Sequence, residues 1–382
     1  MSDRLRVMPV FGTRPDTIKM APVVKALRSR SEIECLVCVT AQHREMLDDL
    51  LDLFAIDPNY DLNVMAPDQS LTHITTRVLE GMEPVLTAAR PDVVLVHGDT
   101  TTSTSAALAS FYVGVRVGHV EAGLRTRDMR VPFPEEMNRR LTGTIADFHF
   151  SPTPLAREHL LAENVPPENI IVTGNTVIDA FSETARRPDL PLPPAWDRLD
   201  PRRPIVLVTA HRRENHAHMR EMCEAMRDLL HLPNRPQIFW PVHPSPRVRP
   251  VAYAVLGTED GTVLTEPIDY AQMVAAVRDC TLVLTDSGGL QEEAPCLGKP
   301  VLVMREETER PEGLEAGTLE LVGHDRGRIA AAGTRLLTDR ASYDRMSRAH
   351  NPYGDGRAAE RITAWLFARL RGAAYPDPFE AA

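Results

Sequence analysis

Short apolar runs alternate along this chain with longer stretches in which apolar residues recur every three or four positions. The runs predict buried strands, of which 5–11 is the first and 91–99 the clearest. The periodic stretches predict helices, such as an amphipathic one from about 71 to 89. Further strands are predicted at 33–39, 115–120, 205–209, 237–240, 263–264, 281–285 and 300–304, and further helices at about 17–27, 42–53, 217–230 and from 305 to the end. Such alternation predicts an α/β fold.

A proline-rich segment divides this pattern into two halves. Residues 188–204 include a Pro-Leu-Pro-Pro run and are predicted to form a linker. Because 382 residues exceed what one ordinary core accommodates, we predict two Rossmann-like domains, at 1–187 and 205–364. They are expected to face each other across a cleft that holds the active site. Residues 365–382 are predicted to form a C-terminal helix and tail.

Composition excludes several classes of protein. Proteins that bind nucleic acids generally have a basic surface, so the formal net charge of −10 argues against general nucleic-acid binding. No apolar stretch is long enough to span a bilayer and no signal-peptide pattern is visible, so we expect a cytoplasmic protein without a membrane partner. The five cysteines lie mostly in apolar runs, and the C-x-x-C pair at 35 and 38 has no second pair to complete a zinc site. We therefore expect buried free thiols.

An anion-binding turn is predicted in the second half, after the strand at 281–285. Ser287, Gly288 and Gly289 allow a sharp turn before a helical pattern that starts at 290. The free N–H groups and the positive dipole end of that helix suit a diphosphate, and Glu293 could accept hydrogen bonds from a ribose. A plain strand-to-helix turn, with acids in the first helical turn, is the alternative.

Two cations follow the first strand. Arg14 lies in the turn after 5–11, and Lys19 lies in the first turn of the next helix. Ligands of open α/β sheets bind at this edge, where arginine offers a bidentate fork to a phosphate and lysine a point charge. A surface turn with solvated charges explains the same residues.

Three carboxylates are expected near one sheet edge. Asp99 ends one strand, Glu121 follows the next, and Glu135 follows a polar loop rich in arginine. Acid–base chemistry on a sugar carbon needs carboxylates held near one another and shielded from water. These residues are therefore the candidate catalytic acids, with helix capping and pairing to arginine as the alternative.

A second polar turn follows the first strand of the second half. His211 is placed to face the cleft with Arg212 beside it, His243 ends a later strand, and Arg310 is expected near the same face. The histidines at 211, 216 and 218 crowd one charged turn without the separation of a tetrahedral site, so no metal is expected.

Several long motifs together point to a known family. They are Phe11-Gly-Thr-Arg-Pro-Asp-Thr-Ile-Lys-Met-Ala-Pro22, Thr40-Ala-Gln-His-Arg-Glu-Met-Leu47, Val93-Val-Leu-Val-His-Gly-Asp-Thr-Thr-Thr102, Val117-Gly-His-Val-Glu-Ala-Gly-Leu-Arg125, Thr209-Ala-His-Arg-Arg-Glu-Asn215, Leu284-Thr-Asp-Ser-Gly-Gly289 and Asn351-Pro-Tyr-Gly-Asp-Gly356. With matches from about Arg6 to Trp365, the chain closely resembles the bacterial non-hydrolysing UDP-N-acetylglucosamine 2-epimerases.

The resemblance implies a two-domain fold of the glycosyltransferase-B type, a final helix that crosses back to the N-terminal domain, and a homodimer. It implies interconversion of UDP-GlcNAc and UDP-ManNAc by anti elimination of UDP to a 2-acetamidoglucal and re-addition, without metal or nicotinamide cofactor. C2 is not adjacent to a carbonyl, so its proton becomes acidic only as the C1–O bond breaks. The departing diphosphate must therefore be stabilised electrostatically.

The resemblance also assigns roles to residues. The implied catalytic residues are Asp99, Glu121, Glu135 and His211. The implied substrate-binding residues are Arg14, Lys19, Met273, Ser287, Gly288, Gly289, Glu293 and Arg310. An activator site for a second UDP-GlcNAc would contain Gln42, Glu136, Arg212 and His243. Met273 stands where the family often has an aromatic residue against uridine, which predicts weaker base binding. Glu45 and Asp68 stand where some members have Gln and Arg, which predicts weaker activation.

Other functions are compatible with the same nucleotide site. A glycosyltransferase of this fold would need an acceptor site, and a hydrolysing epimerase would release ManNAc and UDP. A UDP-sugar sensor would leave the proton at C2 unexchanged. Which acid acts on which face of the sugar is left open by the sequence.

Overall fold

The computed structural model describes residues 4–41, 44–66 and 69–381, and the chain forms two compact α/β units. The first contains Met1–Ala180 and Gly354–Ala381, and the second contains Phe181–Tyr353. Each is built around one β-sheet. None of the described helices is both long and apolar enough to cross a membrane.

The first sheet contains β1 (Leu5–Phe11), β2 (Ile33–Cys35), β3 (Cys38–Val39), β4 (Tyr60–Asp61), β5 (Val93–His97), β6 (Arg116–Val120), β7 (Phe148–Ser151) and β8 (Ile170–Val172). The second contains β9 (Ile205–Thr209), β10 (Gln237–Pro241), β11 (Thr262–Thr265), β12 (Leu282–Thr285), β13 (Val301–Val303) and β14 (Leu319–Leu321). The helices are α1 (Arg14–Arg28), α2 (Arg44–Leu53), α3 (Leu71–Ala89), α4 (Thr101–Val113), α5 (Glu135–Ile145), α6 (Pro154–Ala162), α7 (Thr176–Ala185), α8 (Met219–Leu230), α9 (Arg249–Leu256), α10 (Tyr270–Asp279), α11 (Gly288–Glu293), α12 (Pro311–Glu315), α13 (Arg326–Thr338), α14 (Arg340–Ser347) and α15 (Ala358–Arg371).

Both sheets have the strand order of a doubly wound fold. The first runs β4-β3-β1-β5-β6-β7-β8, with β2 also paired to β1, and the second runs β11-β10-β9-β12-β13-β14. The pairings between these strands are parallel. In the first sheet, successive strands are added on opposite sides of the boundary between β1 and β5, and in the second sheet on opposite sides of the boundary between β9 and β12. Ligands bind beyond the carboxyl ends of the strands at such a switch point.

The predicted α/β fold with two Rossmann-like halves is confirmed. The strands predicted at 5–11 and 205–209 have the predicted bounds, as does the helix at 71–89. The strand predicted at 33–39 is divided into β2 and β3, which pair with different parts of β1. The region after 305 is not helical throughout, because it contains β14. This strand is only three residues long, too short to show a period of its own.

The proline-rich segment 188–204 belongs to the second unit. Trp196 lies in a short 3-10 helix (Trp196–Arg198) and is buried. Its ring centroid is 4.8 Å from that of Phe239 in β10, in an edge-on contact. One aromatic anchor thus packs this segment onto the second sheet.

The C-terminal residues pack within the first unit. The ring of Trp365 in α15 is buried, and its centroid lies 5.3 Å from the ring of Phe148 and 5.6 Å from that of Phe150, both in β7. Beyond the helix, Phe379 donates its N–H to the carbonyl of Val172 in β8 at 2.8 Å. The end of the chain is therefore part of the first core.

Candidate active site

The first group of candidate residues lies beyond the carboxyl ends of β5 and β6. These strands pair in register, with His97 opposite Val120, so Asp99 and Glu121 leave the sheet next to each other. Gly98 between them has a φ of +60°, and a Cβ there would lie 3.3 Å from Oε2 of Glu121. The structure therefore brings these two predicted acids to one edge.

Glu121 is held by partners from two other segments. Its Oε1 lies 2.5 Å from Nζ of Lys19 in α1 and accepts a 2.8 Å hydrogen bond from Nδ2 of Asn175. The side chain is only 8% exposed. The backbone φ of +63° is uncommon for a residue other than glycine. Such strain is found mainly where the surroundings hold a functional residue in place.

His97 connects Glu121 to a second buried carboxylate. Its Nδ1 lies 3.3 Å from Oδ1 of Asp16, and its Nε2 lies 3.3 Å from Oε2 of Glu121. The second contact is close but not aligned as a hydrogen bond. Asp16 also accepts the hydroxyl hydrogen of Thr100, the N-cap of α4, at 3.1 Å. Asp16 and His97 are both buried. Glu121 is therefore connected to the protein interior through a series of polar contacts, from His97 to Asp16 and on to Thr100.

Asp99 and Glu136 share one guanidinium group, that of Arg139 in α5. Glu136 is fully buried and accepts the N–H groups of Thr126 and Arg127 at 3.0 and 3.1 Å. Its carboxylate thus ties the loop before α5 to the helix. The predicted contact of Glu136 with an activator stays a prediction.

Two predicted residues keep polar atoms without a protein partner in the described part of the chain. Arg14 begins α1, is half-buried, and makes no hydrogen bond or ion pair there. Glu135 begins α5, and its buried Oε2 accepts no hydrogen bond. Buried polar atoms normally have partners, so both groups are available to a ligand.

The second group of candidates lies at the carboxyl ends of β9 and β12. Asp286 follows β12 and is fully buried. Its Oδ2 accepts three hydrogen bonds, from the N–H groups of His211 at 2.9 Å and Arg212 at 2.8 Å and from Nδ2 of Asn215 at 2.9 Å. Nδ1 of His211 lies 3.1 Å from Oδ1. One carboxylate thus organises the turn that carries His211 and Arg212.

The pKa of Asp286 is set by opposing effects. Burial acts to raise this pKa, but the His211 ring beside Oδ1 and the backbone N–H groups of Arg212 and His211 outweigh burial and hold it below the ordinary value. Asp286 is therefore ionised at neutral pH and faces the imidazole of His211. That ring is 43% exposed and stacks on His243, with centroids 6.0 Å apart. His211 and His243, predicted at the ends of separate strands, thus lie together.

Two arginines converge on the start of α11. A Cβ added to Gly288 would lie 3.6 Å from Nη2 of Arg212 and 4.0 Å from Nη2 of Arg310. Nε of Arg212 is buried and has no hydrogen-bond partner within the described residues. Arg310 also pairs with Glu292 of α11. Glycine at 288 therefore leaves a small space lined by two guanidinium groups, which suits an anion.

The remaining predicted residues of the second unit lie on nearby helices and turns. The N–H of Ser287 is donated to Oγ1 of Thr285 at 2.9 Å, so this amide is used within the turn. A Cβ on Gly289 would lie 3.5 Å from Oε1 of Glu293. Glu293 ends α11 and Met273 lies in α10, and both are half-buried.

The predicted activator site is only partly covered by the described residues. Gln42 and Asp68 lie outside the described residues, as does the side chain of Glu45. Expectations about activation that depend on them stay predictions.

Sequence reasoning missed the residues that hold the predicted ones in place: Asp16, His97, Arg139, Asn175, Asn215 and Asp286. His97 and Asp286 lie at strand ends, as the predicted acids do, so their positions in the sequence could have identified them as candidates. Asn175 carried none, because 54 positions separate it from Glu121. Over residues 4–41, 44–66 and 69–381, no group of three His, Cys, Asp or Glu side chains is arranged to hold a metal ion.

Comparison with known proteins gives consistent matches. The model of the family described as UDP-N-acetylglucosamine 2-epimerase matches residues 25–367. A UDP-N-acetylglucosamine 2-epimerase of Escherichia coli O157:H7 is 52% identical over 368 residues, which cover 94% of this chain and 97% of that protein. A crystal structure of a UDP-N-acetylglucosamine 2-epimerase has a TM-score of 0.93 at 47% identity and covers 99% of this chain and 100% of its own.

The UDP-GlcNAc 2-epimerase of Neisseria meningitidis, bound to UDP-GlcNAc, has a TM-score of 0.84 at 43% identity, with 95% of this chain and 100% of that chain covered. A glycosyltransferase only 13% identical shares the fold alone, with a TM-score of 0.61. These structural neighbours confirm the predicted fold of the glycosyltransferase-B type.

Proposed function

The chain belongs to the UDP-N-acetylglucosamine 2-epimerase family, and from this premise we propose that it interconverts UDP-GlcNAc and UDP-ManNAc through a 2-acetamidoglucal. The observation that carries the proposal is the acid group at the edge of the first sheet. Asp99 and Glu121 leave adjacent strands, and each is paired with a cation. Glu135 has a buried carboxyl oxygen without a partner within the described residues.

The reaction begins with loss of the C2 proton and of UDP. A carboxylate accepts the proton, the electrons of the C–H bond form the C1=C2 double bond, and UDP departs with the electrons of the C1–O bond. A carboxylic acid then protonates C2 from the opposite face, and UDP adds again to C1. Asp99, Glu121 and Glu135 provide the carboxyl groups for both faces. A positioned acid or base of this kind contributes on the order of 10²–10⁴-fold in rate.

Departure of UDP requires stabilisation of a developing negative charge. Arg310 and Arg212 converge on the space beside Gly288, and Arg14 has no partner within the described residues. We assign these cations to the diphosphate, since fixed positive groups contribute most where charge develops. His211, oriented by ionised Asp286, is assigned to the bridging oxygen. The remaining proposed substrate contacts are Lys19, Met273, Ser287, Gly289 and Glu293.

Two further proposals concern assembly and control. We propose a homodimer, supported by the family and by two large exposed side chains at the end of α4, Phe111 at 63% and Tyr112 at 71%. Light scattering of the purified protein tests this assembly. We also propose activation by a second UDP-GlcNAc through Arg212 and His243, which is tested by adding UDP-GlcNAc during UDP-ManNAc consumption.

The central test is incubation of the purified protein with UDP-GlcNAc alone in D2O. We expect UDP-ManNAc that carries deuterium at C2. Free ManNAc with UDP would indicate a hydrolysing enzyme, and turnover only after addition of an acceptor would indicate a glycosyltransferase. Complete retention of the original hydrogen would contradict an elimination.

The roles of the acids are tested by shape-preserving substitutions. Asp99→Asn, Glu121→Gln and Glu135→Gln should each lower turnover by at least about 100-fold. UDP affinity, measured by calorimetry, should stay within about threefold, because these residues are assigned to proton transfer rather than to the diphosphate. Near-normal turnover in all three variants would contradict the assignment.

A further inference from the structure

Glu121 has behind it two buried side chains that can hold a proton. Asp16 is 1% exposed and His97 is 3% exposed. The two ring nitrogens of His97 face different carboxylates. Nδ1 lies 3.3 Å from Oδ1 of Asp16, and Nε2 lies 3.3 Å from Oε2 of Glu121. A single imidazole therefore lies between the predicted acid and a carboxylate that has no assigned role in the reaction.

We propose that His97 is a positioning residue of the epimerisation, which shares one proton with Glu121 and is oriented for this by Asp16. The inference rests on the proposed function. His97 acts through Glu121 and is not assigned a contact with the sugar.

The two ring nitrogens determine how the proton is held. A neutral imidazole has one N–H and one lone pair. With Nδ1–H directed to Asp16, Nε2 can carry a proton toward ionised Glu121 or accept the proton of neutral Glu121. The two forms contain the same number of protons and differ by one transfer between Nε2 of His97 and Oε2 of Glu121, which are 3.3 Å apart.

The charge of the group favours one shared proton. The His97 ring contacts Asp16 of α1 and Glu121, Glu121 in turn pairs with Lys19 of α1, and the neighbouring charged or titratable side chain of β6 is His119. The group contains two carboxylates, one lysine and one imidazole, so its formal charges cancel when it holds one shared proton. His119 remains neutral, because burial lowers its pKa to about 3. Since an unbalanced charge is costly inside a protein, the group is expected to keep this proton.

The reaction gives the shared proton a use. Epimerisation runs in both directions, so the group on each face of the sugar is a base in one direction and an acid in the other. Glu121 is only 8% exposed, which limits direct exchange with water. Sharing a proton with His97 keeps both forms of Glu121 accessible. The proton that one face gains from C2 is balanced by the proton that the acid on the opposite face gives, and exchange with water after product release returns both groups to their starting states.

Position and orientation of the ring are fixed by the surrounding fold. Oδ2 of Asp16 accepts the hydroxyl hydrogen of Thr100 at 3.1 Å, and the Ser103 hydroxyl donates to the backbone carbonyl of His97 at 2.5 Å. Both residues belong to the first turn of α4 and its cap. The chain from Thr100 through Asp16 to His97 thus follows the arrangement in which a third group orients an acid–base partner.

The test replaces His97 by glutamine, which can hydrogen-bond but does not titrate. In His97→Gln, kcat should fall at least about 10-fold, while KM for UDP-GlcNAc changes less than about threefold. The proton must then reside on Glu121 alone, so the alkaline limb of the kcat profile should move to lower pH by about one pH unit. UDP affinity should be unchanged.

His149→Gln is the matched control. His149 is a buried histidine of β7, two strands away from β5 in the same sheet, and is assigned no part in the reaction. Its replacement should leave the pH profile unshifted, even if the variant is less stable. An equal shift in this control would show that loss of any buried histidine produces the effect.

Asp16→Asn provides a second and independent variant if His97→Gln does not fold. It keeps the shape of Asp16 but weakens the hydrogen bond with Nδ1 of His97. The alkaline limb of the kcat profile should therefore move in the same direction by a smaller amount. Wild-type kcat and an unshifted pH profile in either folded variant would overturn the inference, as would a raised KM at unchanged kcat. Failure of the wild type to form UDP-ManNAc would instead refute the proposed function.

Discussion

Replacement of Asp286 by asparagine tests whether one buried carboxylate organises the second group of site residues. Oδ2 of Asp286 accepts three hydrogen bonds, from His211, Arg212 and Asn215. An asparagine oxygen in the same place can keep these donors but carries no charge. Hydrogen bonds to charged groups contribute about 1.5–3 kcal/mol, against about 0.5–1.5 kcal/mol for neutral ones. Because burial of a neutral amide costs less than burial of a carboxylate, the expected net loss of unfolding free energy is about 1–3 kcal/mol.

The same substitution changes the partner of His211. An asparagine NH2 group replaces Oδ1, which lies 3.1 Å from Nδ1 of the imidazole. Because NH2 only donates, Nδ1 of His211 would have to be the acceptor of this contact. Because the His211 ring then has no ionised partner, turnover should fall at least about 10-fold. UDP affinity should fall less than about threefold, since the turn that carries Arg212 keeps its hydrogen bonds.

Urea unfolding and steady-state kinetics measure both effects, with Asp286→Ala as the comparison. Alanine leaves the three donors without an acceptor, so it should destabilise the protein more than asparagine does. Because the pKa of Asp286 lies below its ordinary value of 3.8, its stabilising contribution is complete above that pH and is lost as the pH falls through the lowered pKa. The difference between wild type and variant should therefore be the same at about pH 6 and about pH 8. Wild-type stability and turnover in Asp286→Asn would refute this reasoning.

Two further predictions concern other parts of the molecule. Asp179 accepts the N–H groups of Ala358 and Ala359 at the start of α15, yet burial raises its pKa to about 6 from 3.8. The native state then holds the proton more tightly, so the unfolding free energy should fall by about 2 kcal/mol as the pH rises from about 4 to 7. Urea unfolding of Asp179→Asn should lack this fall, and an unchanged pH dependence would contradict the assignment. At the anion space, a Cβ on Gly288 would meet Arg212 at an ordinary contact distance of 3.6 Å. Gly288→Ala should therefore change stability by less than about 1 kcal/mol but weaken UDP binding at least about 10-fold in calorimetry, and unchanged binding would show that the diphosphate lies elsewhere.

The sequence by itself determined many of the longer strands and helices and the sheet edge on which the candidate residues lie. Apolar runs such as 205–209 predict strands because the buried strands of a parallel sheet are apolar on both faces. Parallel strands direct their carboxyl ends to one edge, so Asp99 and Glu121 could be placed together without knowledge of the strand order. The family motifs then assigned chemistry to those positions.

Only the tertiary structure decided which side chains hold the site residues in place. His97 meets Asp16 across 81 positions, Glu121 meets Asn175 across 54, and the N–H of His211 meets Asp286 across 75. Such contacts depend on the strand order and on where each helix begins, which periodicity does not encode. A hydrogen bond also requires atoms to meet within a few tenths of an ångström, and this precision arises only when the crossover connections have packed onto both faces of each sheet.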